Sequence, residues 1–168
     1  MKNLALTFIL AFLVISCGGF DVTKNVSETN PDIITYNTPK LQVKSEYEAQ
    51  TFFTEIQLFC YREKDKKTYS ISNSYVTTQW PFFEKMIFTI DGVEKEYFPD
   101  RPPLRDLYNL QGPTETITVI LPEETIIDIF ESMDAKMTVK GAEIKYTILW
   151  KDDMKMKLYE FYKATIEN

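Results

Sequence analysis

From residue 51 onward the chain alternates. Phe52, Thr54, Ile56, Leu58 and Cys60 fall on one side of an extended segment, with Glu55 and Gln57 on the other. That period of two is the pattern of a half-buried strand. Lys64-Asp65-Lys66-Lys67 is a charged turn into a second strand, Tyr69 to about Gln79, which Pro81 breaks. Met86, Phe88 and Ile90 alternate in the next strand, and Asp91-Gly92 is a two-residue hairpin signal returning the chain through about Val93 to Phe98. Pro99, Pro102, Pro103, Gly112 and Pro113 then bracket a long loop containing Leu104, Leu107, Tyr108 and Leu110. Ile117, Val119 and Leu121 alternate with Thr116, Thr118 and Ile120 in a further strand.

The period then changes. Pro122, Glu123 and Glu124 open a short helix near 123–133, because proline fits a first helical turn and acids suit its positive end. Ile126, Ile129, Phe130 and Met133 form its apolar stripe. Met137 and Val139 begin another strand, Gly141 marks a turn, and Ile144, Tyr146, Ile148 and Trp150 return on one face. Asp152 and Asp153 start the last helix, with Met154, Leu158, Phe161 and Tyr162 on its buried side and Lys163 near its negative end. About seven strands followed by helices predict an α+β fold. It is a largely antiparallel β-sheet or sandwich, with the C-terminal helix packed on it.

The front of the chain is different. Lys2 precedes an almost wholly apolar run, Leu4 to Ile15. About a dozen residues span roughly 18 Å as a helix, short of a ~30 Å bilayer core, which suits a secretion signal and not a permanent span. Val14-Ile15-Ser16-Cys17 follows and resembles the lipobox of bacterial lipoproteins, a likeness confined to this leader. It implies cleavage after residue 16, acylation of Cys17 and attachment to a membrane through several acyl chains, since one chain alone holds weakly. Gly18 stands where aspartate often signals inner-membrane retention in that family, so the expected location is the outer membrane of the cell envelope. Residues 17–45, rich in Asn, Thr, Ser and Asp with Pro31 and Pro39, are expected as a flexible tether, with Ile33, Ile34 and Tyr36 able to pack on the domain. Residues 46–168 are expected as one globular domain.

Charge and composition narrow the chemistry. The chain is net −6, and losing the leader removes Lys2, leaving a body of −7. An acidic body argues against nucleic acid or anionic lipid as a partner. With Cys17 lipidated, Cys60 is the one remaining thiol, so no internal disulfide forms and the core alone stabilises the fold. Cys60 lies among large apolar residues and reads as a buried small hydrophobe. The sequence contains no histidine, which excludes Ser-His-Asp and Cys-His catalysis and His-ligated zinc. Its five glycines form no phosphate-cradling loop. No metal or cofactor is expected. Glu123, Glu124, Asp152 and Asp153 are helix-start charges, and Glu94 and Glu96 share a solvated strand face.

Aromatic residues are the remaining candidate. Tyr75, Trp80, Phe82 and Phe83 flank Pro81 at a strand end, where exposed rings suit a partner's pocket or a sugar face and buried rings complete a core. The 104–110 loop is a second candidate surface. The expected function is a lipid-anchored, non-catalytic binding or assembly module for an envelope protein partner. The alternatives are a carrier or sensor of a small apolar or glycan ligand and, less favoured, a carboxylate-dependent hydrolase.

Overall fold

The computed structural model describes residues 20–47, 50–76, 80–107 and 113–167. The leader, Cys17, Tyr108, Leu110 and Gly112 lie outside the described residues. Eleven strands are described: β1 (Thr23–Val26), β2 (Ile33–Asn37), β3 (Leu41–Tyr47), β4 (Gln50–Glu63), β5 (Lys66–Val76), β6 (Phe83–Ile90), β7 (Val93–Tyr97), β8 (Leu104–Asp106), β9 (Thr114–Leu121), β10 (Ala135–Gly141) and β11 (Lys145–Leu149). Two helices join them, α1 (Glu123–Glu131) and α2 (Asp152–Ile166). Every strand pair is antiparallel and all belong to one sheet, ordered β7-β6-β10-β11-β3-β4-β5-β9-β8, with β1 pairing β2 and β2 pairing β4. The fold is α+β, as the pattern predicts, and the sheet is continuous.

β4 organises this sheet because it is long enough to pair twice on one side. Its first half pairs β3 and its second half pairs β2, while β5 runs along its other side. β2 and β3 are therefore one strand with an interruption at Thr38-Pro39-Lys40. The cause is local. Pro39 has no N–H to give to a ladder, and Thr38 fills the gap by accepting from the Leu58 N–H through Oγ1 at 3.0 Å while its own N–H donates to the Leu58 carbonyl at 3.0 Å. One extra residue fits there as a bulge.

This arrangement corrects the expected 17–45 tether and the domain boundary at 46. Residues 23–26, 33–37 and 41–47 are strands of the sheet, and Tyr36 and Val43 are core residues. Polar composition hid them because β1 exposes all four residues, so its pairing is carried by the backbone rather than by an apolar face. β8 was hidden for the same reason: its three residues are all exposed.

The sheet rolls on its apolar face until β6 and β9 approach within 8 Å between Cα atoms. Inside lie Ile56, Leu58, Cys60, Ile71, Met86, Phe88, Ile117, Val119, Met137, Val139 and Ile148, all essentially sealed from solvent. Leu158 and Phe161 of α2 complete this core, so the C-terminal helix packs on the sheet as expected. Tyr69 bonds Thr165 Oγ1 at 2.9 Å and ties β5 to the end of α2. Lys155, nearly buried, donates to the carbonyls of Ser132 at 2.8 Å and Met133 at 3.3 Å. A cation there satisfies the carbonyl-rich end of α1. α1 stops at Glu131, where Ser132 turns extended, and so Met133 is 95 % exposed instead of lying on the predicted stripe.

Cys60 is inaccessible, and burial pushes its thiol up to about 11. Only the thiolate attacks an aromatic disulfide reagent. A Cys17→Ala variant is expected to react with such a reagent only as fast as it unfolds; immediate stoichiometric reaction without denaturant would place Cys60 at the surface.

Candidate functional site

The four aromatic candidates converge on the seam between β6 and β9, but they do not form one surface. Phe83 is inside, 4 % exposed, with its ring 5.9 Å from that of Tyr146. Tyr75 is half-buried beside it, with its centroid 5.0 Å from Phe52 and 5.5 Å from Tyr146. These two rings belong to an internal cluster. Trp80 is half-buried, and Phe82 presents 44 % of its surface to solvent.

That division is imposed by the backbone. Phe82 has φ +50°, the left-handed region that a residue with a Cβ seldom occupies. Three contacts hold it. Glu115, at an inward position of β9 and fully buried, accepts from the Phe83 N–H through Oε1 at 2.9 Å and from the Phe82 N–H through Oε2 at 3.1 Å. On the other side the Ala142 N–H donates to the Phe82 carbonyl at 3.1 Å. Both oxygens of one buried carboxylate thus replace the ladder that β6 and β9 lack there. A bare carboxylate would be costly at this depth, but two backbone donors and a nearby cation compensate it. The cation is Arg105 of β8, whose Nη2 lies 3.6 Å from Glu115 Oε1.

Arg105 also shapes the surface. Its guanidinium stands 4.6 Å from the Phe82 ring centroid and 5.8 Å from that of Trp80, with the side chain 42 % exposed. A cation over an aromatic face holds both rings in place by about 0.5–1 kcal/mol at an exposed position. The result is a fixed corner of two aromatics and an arginine. Leu107, 68 % exposed, follows β8.

Beneath the corner lies a closed polar network. Tyr146 donates to the Asn73 side-chain oxygen, and Asn73 donates to Thr54 Oγ1 and the Glu55 carbonyl, each at 3.2 Å. Ser45 and Thr54 share a further bond at 2.9 Å. Burial, then the neighbouring Tyr75 and Glu115, hold the Tyr146 phenol well above its ordinary pKa, so it stays a neutral donor. Satisfied buried networks fix one arrangement of a core.

Sequence reasoning missed Glu115 and Arg105. Glu115 carried a readable signal, since it shares the inward parity of Ile117, Val119 and Leu121. Among the described residues no group of three or more Cys, Asp or Glu is placed to hold a metal ion, and no helix is long and apolar enough to cross a membrane. No protein family, curated protein or solved structure matches the chain.

Proposed function

We propose that this protein is a lipid-anchored binding or assembly module of the bacterial cell envelope, held at the outer membrane through Cys17. It engages a protein partner with the Trp80–Phe82–Arg105 corner. The observation that carries this reading is Phe82: an aromatic ring kept half in solvent by a left-handed backbone that Glu115 and Ala142 clamp from opposite sides. Free side chains relax away from such geometry, and strained residues that persist cluster where a protein contacts something else. Aromatic and arginine side chains are also the ones that dominate interface energies. A rigid ring loses little entropy on binding, and anchoring raises the local concentration of the module, so modest affinity suffices.

A photo-crosslinking amino acid at Phe82 is expected to trap one envelope protein in intact cells, while the same group at exposed Val93 traps none. Equal or absent adducts at the two positions would remove the corner from the reading. Cys17→Ala is expected to move the protein from the membrane to the soluble fraction, and full retention would remove the anchor.

A further inference from the structure

We propose that the outer face of β3, β10 and β11 is a membrane-docking surface that seats the domain on anionic phospholipid headgroups. The proposal takes its setting from the anchored reading, while its chemistry stands on the face itself. The antiparallel register puts Lys136 opposite Leu149, Lys140 opposite Lys145 and Lys44 opposite Phe53. Directly opposite residues share a face, and the buried partners Met137, Val139, Tyr146 and Ile148 show that this is the outer one. A groove of about 290 Å³ between β3 and the start of α2 adds Lys151 and Lys157 to the same side. Six lysines thus gather on one side of a chain that is acidic overall, with Glu46 and Asp153 the carboxylates lining the groove.

These lysines are not spent on the fold. None forms an ion pair with another described residue. Lys140 and Lys145 stand directly opposite each other, an arrangement that destabilises a sheet unless an anion relieves it. The next lysine in that row, Lys85, is neutralised by Glu96 at 2.7 Å. Between the cations Phe53 is 69 % exposed and Leu149 42 % exposed. Cations around exposed apolar side chains match the headgroup region of a bilayer, where lysines meet phosphate and a ring enters the acyl boundary.

The path of the chain selects the membrane over other anions. β1 runs antiparallel to β2 from the Thr23–Asn37 pair, so the residues before it head toward Lys40 and Leu41, and Leu41 lines the groove. Phe20 is already packed against the core. Two residues, Gly18 and Gly19, separate it from Cys17, three peptide steps with a reach of at most ~11 Å. An acyl group on Cys17 therefore holds the lipid surface beside this groove, with no long tether between. The net charge of −7 then orients the body, its acidic remainder repelled and its lysine face drawn down. In the order of the sheet β3, with the groove beside it, lies farthest from the β6–β9 seam, whereas β10 borders β6.

Lysine acetylation footprinting of the purified full-length protein tests this on vesicles of phosphatidylcholine with and without about one quarter phosphatidylglycerol. Lys44, Lys136, Lys145 and Lys151 are expected to lose reactivity by roughly fivefold or more on the anionic vesicles, the scale of one lysine at such a surface. Lys64 and Lys66, at the β4–β5 turn, are expected to stay reactive. Salt at about 1 M, where screening acts within ~3 Å, is expected to restore reactivity. Equal reactivity on the two vesicle types overturns the proposal, and so does protection of the face by polyglutamate but not by lipid, which would assign it to an acidic protein. The protein's mass scores the anchor separately: absence of acyl chains on Cys17 fails that reading, while the vesicle comparison still scores the face. A Lys44→Glu/Lys136→Glu/Lys145→Glu variant is expected to restore the reactivity of Lys151 on anionic vesicles, and unchanged protection there also overturns the proposal.

Discussion

Replacing Glu115 with alanine is the first of two substitutions expected to open the seam, at a cost of about 3–5 kcal/mol. The side chain leaves behind two buried N–H groups, those of Phe82 and Phe83, with no other acceptor to take them. An unsatisfied buried donor costs about 1–3 kcal/mol, and bonds to a charged acceptor are the stronger kind. Relief from burying a charge offsets part of this. Glu115→Gln keeps one carbonyl oxygen and turns an amide N–H₂ toward the other donor, so about half the loss is expected. Urea unfolding checks the order, alanine worse than glutamine worse than wild type. On heating, a domain of this size shifts by about 2–4 °C per kcal/mol, so the alanine variant should melt roughly 10 °C lower. A change within about 1 kcal/mol for alanine would mean that the seam closes without the carboxylate. The Phe82 crosslink should disappear in the same variant, because the ring loses the backbone that presents it.

Gly141→Ala is the second. A Cβ at this position would stand 2.2 Å from the Pro81 carbonyl oxygen and 3.0 Å from that of Phe82, both backbone atoms with no rotamer to escape through. Something must move: the nearest atom is the Pro81 carbonyl oxygen, which receives the Glu143 N–H, and next to it is the Phe82 carbonyl, which receives the Ala142 N–H. Overpacking a fixed site costs about 1–3 kcal/mol, and the upper end is expected because backbone, not side chain, must give way. Gly92 makes the contrast. It has open space around it but φ +85°, following Asp91 at +46°, so alanine there is opposed by conformation alone, at about 1 kcal/mol. Two urea melts and hydrogen exchange at the Ala142 amide distinguish the cases: Gly141→Ala should accelerate that exchange, and Gly92→Ala should not. Equal stability of Gly141→Ala and wild type would show that the Pro81 carbonyl is not held where it stands.

Strands with an apolar side were legible and strands without one were not. β4, β5, β6, β9, β10 and β11 announce themselves because Ile56, Ile71, Phe88, Val119, Met137 and Ile148 alternate with polar neighbours. β1 and β8 have no inward face to advertise, and backbone bonding leaves no mark on composition. The turn at Asp91-Gly92 was legible because both residues must take positive φ. The site was half legible. Aromatics around Pro81 pointed to the right place, but which rings face water depends on the left-handed turn at Phe82. That turn is set by Glu115, thirty-three residues away in sequence, and local pattern does not encode such a pairing. Net charge hides the lysine face for a simpler reason. It averages the lysines of β10 and β11 with acids on other sides, whereas register keeps them apart.

The ends of this sheet bear on how copies of the protein behave together. β7 closes one end with Glu94, Lys95 and Glu96 in a five-residue strand, β8 closes the other with three residues that include Arg105 and Asp106, and β1 is four exposed residues long. Long, flat, uncharged edges invite pairing with the same edge of a neighbour, while short charged ones do not. Confinement to a surface multiplies encounters between molecules that are dilute in solution. At the membrane surface proposed above, such borders disfavour the zipping of copies into ribbons.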